Sequence, residues 1–436
     1  MIYSHITELI GDTPLLRLDP AVHGLDGVEL YAKLESHNPF GSVKDRVAWA
    51  MLRDDLDRIA GDGQSLIEAS SGNTAKALRL LGGLRGVPLR AVTNRIRVDE
   101  VRQLLQLLGT EIVELPGLSE CPDPQAADDV SAVIEQTIGQ APDRWFHPSQ
   151  YTSERNIAAH HDGTGTEIAT DLAAAGIPRL DYLIGGLGTT GSTRGTATAL
   201  RAHHPALRTV GVVSDRFDFI PGIRSEREMW EVGLFQPGFY EEIVTVDSAT
   251  AIDATLTLAR GFGVLAGPTS GAGYAAALRT LAAAPRPEDG PLVAVLIVCD
   301  RLEPYLSYLA KRRPDLFGRP AAPAAPGPED AAPALSPAEL AELDRTGRPT
   351  VVDTRGAMAY RVGHVPGAVN IRDDQLDDLL AQGIPFARSR PVVFVCPVGE
   401  TSLRFAAVTR RAGYQAFSLA GGIVAWRDAG LPLERG

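Results

Sequence analysis

Lys33-Leu34-Glu35-Ser36-His37-Asn38-Pro39-Phe40-Gly41-Ser42-Val43-Lys44-Asp45-Arg46 is the stretch on which the reading of this chain turns. Its Asn-Pro-Phe-Gly-Ser segment is rich in turn formers and delivers a single lysine onto a helix start, with the helix predicted over Ser42 to Met51. An amine buried at such a place loses hydration, its pKa falls, and it becomes able to form a Schiff base with an aldehyde. The same residues also fit a surface lysine beside Asp45 in an ordinary helical ion pair. Two segments further along bear on the choice.

Glu68-Ala69-Ser70-Ser71-Gly72-Asn73-Thr74-Ala75 follows a short apolar strand candidate, Ser65 to Ile67, and opens a helix over Thr74 to Leu81. N–H groups and hydroxyls gathered at a helix N-terminus form an anion site that suits a carboxylate, and Asn73 can hydrogen-bond a ring hydroxyl. A plain Ser/Asn helix cap is the alternative. Tyr182-Leu183-Ile184-Gly185-Gly186-Leu187-Gly188-Thr189-Thr190-Gly191-Ser192-Thr193 runs an apolar strand into a Gly/Thr loop and then a helix, Thr193 to Ala202. That arrangement cradles phosphate with backbone N–H groups. A lone glycine loop is weak evidence, but lysine, Ser-Gly-Asn and phosphate loop in this order support one another.

Residues 1–317 resemble the fold-type II pyridoxal-phosphate enzymes of the cysteine synthase and cystathionine β-synthase group. The resemblance runs from Ile10-Gly11-Asp12-Thr13-Pro14-Leu15 through Lys44, Ser71-Gly72-Asn73-Thr74, His147-Pro148-Ser149-Gln150-Tyr151 and Gly163-Thr164-Gly165-Thr166-Glu167-Ile168. Gly188 to Ser192 and Gly267-Pro268-Thr269-Ser270-Gly271-Ala272 complete it. It implies pyridoxal 5'-phosphate as cofactor, bonded to Lys44, which would also act as the catalytic acid and base. Asn73 would meet the pyridine hydroxyl, Gly188, Thr189, Thr190, Gly191 and Ser192 the phosphate, and Thr269 the pyridine nitrogen. Ser70, Ser71, Thr74 and Gln150 would hold the substrate carboxylate. A neutral hydroxyl at the pyridine nitrogen leaves it largely unprotonated, which in this family favours α,β-elimination over transamination. Two positions depart from the family: Thr190 stands third in a loop that is usually Gly-Thr-Gly-Gly-Thr, and Gly222-Ile223-Arg224 replaces Gly-Ile-Gly. In the phosphate-tolerant branch an arginine near this place pairs with the phosphate of O-phosphoserine, so Arg224 is expected to bind substrate. Pairing with Glu228 on a solvated helix is its alternative.

After Phe317 the composition changes abruptly. Residues 318–336 carry prolines at 320, 323, 326, 328 and 333 amid alanines, and are expected to act as a semi-stiff spacer. Ser336-Pro337-Ala338-Glu339-Leu340 reads as an N-cap with proline first. Residues 337–436 then alternate apolar strands, Thr350 to Arg355 and Pro391 to Val395, with helices such as Ser402 to Ala412. Cys396-Pro397-Val398-Gly399-Glu400-Thr401-Ser402 wraps a sulfur at a helix N-terminus, which stabilises a thiolate or persulfide; a buried structural cysteine is the alternative. Cys299 reads as structural and Cys121 as a loop residue. Asp353-Thr354-Arg355, Gly363 to Asn370 and Gly421-Gly422-Ile423-Val424-Ala425-Trp426 are similar to the rhodanese (sulfurtransferase) domain. That resemblance implies a persulfide on a catalytic Cys396. Single-domain members often have arginine where this loop has Thr401, and Pro397 and Val398 add no charge for thiosulfate.

Composition bounds the remainder. The 436 residues are 44% hydrophobic with a formal net charge of −12, which favours neither nucleic acid nor a membrane surface as partner. Lys311-Arg312-Arg313 is too short a basic run to alter this and reads as a charged helix end. Three distant cysteines make no disulfide framework or metal-ligand spacing and suit a reducing cytoplasm. No apolar run approaches a membrane span, and no signal peptide is expected. The fold class expected is α/β: two lobes with the cofactor between them, residues 40–145 in the smaller, plus a small C-terminal α/β domain. A homodimer follows from the resemblance only. The activity expected is β-replacement on an O-activated L-serine, O-phosphoserine or O-acetylserine, by a sulfur nucleophile, giving L-cysteine or S-sulfocysteine with sulfur relayed through Cys396. An amine nucleophile giving 2,3-diaminopropionate-type products is one alternative. A rhodanese-like domain serving only as sensor or scaffold is another.

Overall fold

The chain divides into two units, Met1–Val113 with Val133–Gly318 and Glu114–Ala132 with Arg319–Gly436. The computed structural model describes residues 2–93, 96–115, 130–215, 218–225, 229, 232–318, 332–347 and 349–435. Cys121, Glu228 and most of the expected spacer lie outside the described residues.

Strands of the first unit are β1 Leu15–Arg17, β2 Val28–Leu34, β3 Ser65–Ala69, β4 Leu89–Thr93, β5 Glu111–Glu114, β6 Trp145–Phe146, β7 Tyr182–Gly186, β8 Arg208–Ser214, β9 Glu242–Val246 and β10 Leu292–Val298. They form two sheets, ordered β1-β2-β10-β7-β8-β9 and β5-β4-β3-β6. In the larger sheet only β1 pairs antiparallel. Every residue of β10 is buried, as a central parallel strand covered on both faces requires. Period-two alternation sends Leu30, Ala32, Ala294, Leu296 and Val298 into one core and Tyr31, Val293, Val295 and Ile297 into the other. Each leucine, valine or isoleucine among them contributes about 2 kcal/mol on burial. The smaller sheet packs Leu66, Leu89 and Ala91 against Val47, Met51 and Leu52 of the helix Lys44–Leu52 and against Leu78 and Leu81 of the helix Asn73–Gly83. Two α/β lobes result, as expected, with the smaller sheet drawn from residues 65–146.

A buried ion cluster joins motifs far apart in the chain. Arg46 donates from Nε to Glu35 at 2.7 Å and from Nη1 to Glu167 at 2.6 Å, and Lys33 Nζ reaches Glu167 at 2.9 Å. Asp12 N and Thr13 N donate to the same Glu167 carboxylate. The Ile10–Leu15 and Gly163–Ile168 motifs therefore meet through Arg46, and in this structure they hold the frame together.

The second unit has β11 Ala334–Leu335, β12 Thr350–Asp353, β13 Val369–Asn370, β14 Val392–Val395 and β15 Ala416–Leu419, all parallel in the order β11-β15-β14-β12-β13. Ala334–Leu335 falls inside the stretch expected as spacer (318–336) and pairs instead as an edge strand. Ser336 and Glu339 form a capping box for the helix Pro337–Gly347, with Ser336 N donating to Glu339 Oε2 at 2.8 Å and Glu339 N to Ser336 Oγ at 3.3 Å. Among the described residues no helix is long and apolar enough to cross a membrane, and no group of three or more His, Cys, Asp or Glu is placed to hold a metal.

Candidate active site

Strand ends of the first unit's sheets supply the site, as in other parallel α/β sheets. β10 runs into Cys299-Asp300, and there Val43 N donates to the Cys299 carbonyl at 2.8 Å while Ser42 pairs with Asp300 in an isolated bridge. These two contacts fix the first turn of the helix that Lys44 opens. Lys44 as a whole residue is half-buried, yet its amine is fully enclosed, and the environment of the nitrogen governs its ionisation. Burial pushes that amine below the ordinary lysine range, with Cys299 and Asp300 opposing. The solvated surface ion pair with Asp45 is therefore not what forms. Asp45 is itself buried, accepts from Phe40 N at 2.6 Å, and is raised by desolvation to about 7. Cys299 is buried and desolvation raises its thiol to about 12, consistent with an inert structural cysteine.

Asn73 opens the helix that follows β3. Its Nδ2 donates to Asp300 Oδ2 at 2.6 Å and to Tyr305 Oη at 3.3 Å, and Tyr305 donates to the same carboxylate oxygen. With the amide nitrogen engaged, Oδ1 is the atom that remains to accept from a ring hydroxyl. Burial raises the Asp300 carboxyl, opposed by the Tyr305 hydrogen bond and by the charge of Lys76. Lys76 lies one turn along the same helix, and burial lowers its amine against the pull of Asp45 and Asp300. Sequence reasoning missed Asp300, Tyr305 and Lys76. The one available signal was the position of Asp300 at the carboxyl end of an apolar strand.

Ser70 Oγ accepts from Ala75 N at 3.1 Å and Gly72 N at 3.4 Å, which sets it against the first turn of the helix, whose N-cap position is Gly72. Ser71 is exposed beside it. Thr74 Oγ1 donates to Gln150 Oε1 at 2.7 Å, and Gln150 Nε2 donates to the Ala69 carbonyl at 2.7 Å. Ser70, Thr74 and Gln150 thus gather at the end of β3.

At the end of β7 the loop Gly188–Thr190 leads into the helix Gly191–Arg201. A Cβ on Gly191 would lie 2.0 Å from Asn156 Oδ1, and one on Gly188 would lie 2.7 Å from the Gly222 carbonyl. Glycine is required at both by close approach. Asn156 Nδ2 donates to Thr189 Oγ1 at 2.9 Å and to the Gln150 carbonyl at 2.8 Å, tying this loop to the Gln150 segment. Thr190 has φ +66°, a left-handed conformation that β-branched residues rarely adopt and that accounts for glycine being usual there. Among the described residues, the N–H groups of Gly188, Thr189, Gly191 and Ser192 meet no protein acceptor, and the first bond back is Arg194 N to Thr190 O at 2.9 Å. That row of donors at a helix start fits an anion.

Thr269 is buried between Gly186 and Gly222, and its hydroxyl donates to the Pro221 carbonyl at 2.5 Å. Arg224 is half-buried, with its backbone N bonded to Leu187 O at 2.9 Å and its guanidinium 5.1 Å from the Tyr151 ring centroid. It therefore stands beside both the phosphate loop and the Gln150 segment. An enclosed amine, an asparagine oxygen for a ring hydroxyl and a glycine-floored anion cradle together fit pyridoxal phosphate.

In the second unit Cys396 directly follows β14. Gly399 N donates to its Sγ at 3.1 Å, and Gly399 takes φ +88° at the start of the helix Glu400–Arg411. The helix Gly422–Asp428 docks against the loop, with Ile423 N donating to the Cys396 carbonyl at 3.0 Å. Arg355 and Asp353 form a buried forked pair, and Arg355 Nη2 also donates to Gly363 O at 2.6 Å. The Asp353–Arg355 and Gly363 motifs are thereby joined.

The family described as pyridoxal-phosphate dependent enzyme matches residues 6–300, and the rhodanese-like domain matches residues 336–429. Cysteine synthase B of Salmonella typhimurium is 32% identical over 306 residues, covering 69% of this chain and 94% of that one. O-ureido-L-serine synthase of Streptomyces lavendulae is 31% identical over 317 residues, covering 70% and 92%. Among solved structures, an O-ureido-L-serine synthase superposes with TM-score 0.61 at 27% identity, covering 73% of this chain and all of the other. Cysteine synthase from Entamoeba histolytica gives 0.60 at 25% identity, covering 74% and 93%. The chain belongs to the fold-type II pyridoxal-phosphate-dependent enzymes, with cysteine synthases among its relatives, and carries a rhodanese-like domain towards its C-terminus.

Proposed function

We propose that the first unit catalyses β-replacement on an O-activated L-serine, with a sulfur compound as nucleophile and L-cysteine or S-sulfocysteine as product. The observation that carries this reading is the Lys44 amine, depressed by burial, on a helix start that Val43 N fixes to the Cys299 carbonyl, beside the Asp300 carboxylate that Asn73 bonds. Bound there, pyridoxal phosphate supplies the electron sink for charge developing at the substrate Cα. A neutral Lys44 amine can take the Cα proton and later return it, which a fully charged lysine cannot. The Ser70–Thr74 turn and Gln150 bind and orient the substrate carboxylate, and Asn73 positions the ring. Arg224 offers a forked donor beside the phosphate loop, which favours O-phosphoserine over O-acetylserine.

Residues 1–317 form the catalytic domain and 337–436 the rhodanese-like domain on this reading, working as a cytoplasmic homodimer. The appended domain supports a sulfur nucleophile over an amine, since Cys396 at a helix start suits a persulfide carrier. Product mass tests the whole. Purified protein incubated with O-phosphoserine and either thiosulfate or glutamate is expected to give the sulfur product, and Arg224→Ala to lose at least tenfold in kcat/KM with O-phosphoserine only. Cys396→Ala is expected to lose use of the sulfur donor. Equal turnover of O-acetylserine unaffected by Arg224→Ala, or product from glutamate alone, contradicts the reading.

A further inference from the structure

The Cys396 loop has no arginine or lysine at positions 397 to 402, yet its sulfur is held by a chain of hydroxyls. Ser402 Oγ donates to Cys396 Sγ at 3.2 Å. Ser402 Oγ and Ser418 Oγ are 2.8 Å apart, and either can be the donor. Ser418 Oγ also reaches the Gly399 carbonyl at 3.3 Å. Cys396, Ser402 and Ser418 are each 0% exposed. Ser402 lies in the first turns of the helix Glu400–Arg411, and Ser418 comes from β15 across the sheet, so the contact is made by the fold.

We propose that Ser402 and Ser418 are positioning residues that form a reversible hydroxyl relay, satisfying the Cys396 sulfur both as thiol and as thiolate. This rests on reading Cys396 as the sulfur carrier. With the thiol, Sγ–H donates to Ser402, Ser402 to Ser418, and Ser418 to the Gly399 carbonyl, so each proton has an acceptor. When the thiol proton passes to solvent, both hydroxyls rotate. Ser418 then donates to Ser402 and Ser402 to the sulfur anion, alongside the Gly399 N–H. No bond other than S–H breaks and no oxidant is required.

Physical chemistry favours this arrangement over an isolated buried cysteine. An unpaired buried charge is strongly disfavoured. Hydrogen bonds to an ionised acceptor are about twice as strong as neutral ones, and hydroxyls in series polarise one another. The relay therefore does in the interior part of what a loop arginine would do from outside. The Ser418 hydroxyl bonds Ser402 and the Gly399 carbonyl, so it acts on the sulfur through Ser402.

Ultraviolet thiolate absorbance of the full chain, taken as the difference from Cys396→Ala, gives the pH midpoint of Cys396 directly. Ser402→Ala is expected to raise that midpoint by about one pH unit, and Ser418→Ala by a smaller amount in the same direction. Identical midpoints in the wild type and both variants overturn the relay. Should Ser402→Ala fail to fold, Ser418→Ala leaves the sulfur contact intact and decides alone. Sulfur carriage is read separately, as gain of one sulfur atom on the Cys396 peptide after treatment with polysulfide. Its absence removes the carrier reading, while the titration still judges the relay.

Discussion

At the scale of single residues, the site is made of groups whose neighbours leave them little choice. Gly191 is the clearest case, because any side chain would enter the space of Asn156 Oδ1. Gly191→Ala is expected to stay folded but bind pyridoxal phosphate at least tenfold more weakly, about 1.4 kcal/mol, as read by titration of cofactor absorbance. Wild-type affinity in that variant would show that the loop does not cradle the phosphate. The helix starts at Lys44, Asn73 and Gly191 were legible in the sequence because turn chemistry and helix starts are local. Asp300, Tyr305 and Lys76 were not. Their meaning arises only when β10 and the helix after β3 come together, bringing Asn73 within 2.6 Å of a carboxylate 227 residues away.

Among the elements, two distant motifs are joined through the helix Lys44–Leu52. Arg46, with Glu35 and Glu167 as its partners, is the tie between the N-terminal segment and the Gly163–Ile168 turn. Burial alone would raise the Glu167 carboxyl, but hydrogen bonds and charge from Arg46, then Lys33, outweigh it and bring it down to about 2. A depressed folded-state pKa contributes stability above the unfolded value near 4.5, and that contribution is lost as pH falls towards about 2. In urea unfolding across this window, the wild type is expected to lose about 3 kcal/mol more than Glu167→Gln. Parallel slopes for the two proteins would contradict the cluster's role. Strand interiors such as β10 and β14 were readable from apolar runs, but β11 was hidden because two residues at the edge of a Pro/Ala stretch carry no period of their own.

Considered as a whole molecule, the chain joins a fold-type II pyridoxal-phosphate enzyme to a rhodanese-like domain, and the proposed β-replacement passes through one amine. Lys44 lies at the centre of contacts from β10 and the Ser42 turn, and burial holds it below the ordinary lysine range. The most direct measurement is mass spectrometry of the whole chain supplied with pyridoxal phosphate and reduced with borohydride, followed by peptide mapping. The expected result is a yellow protein that loses its colour on reduction and gains the mass of one cofactor on the peptide containing Lys44, with neither change in Lys44→Ala. A colourless protein with no gain in mass, or the cofactor fixed on another lysine such as Lys76, would contradict the account.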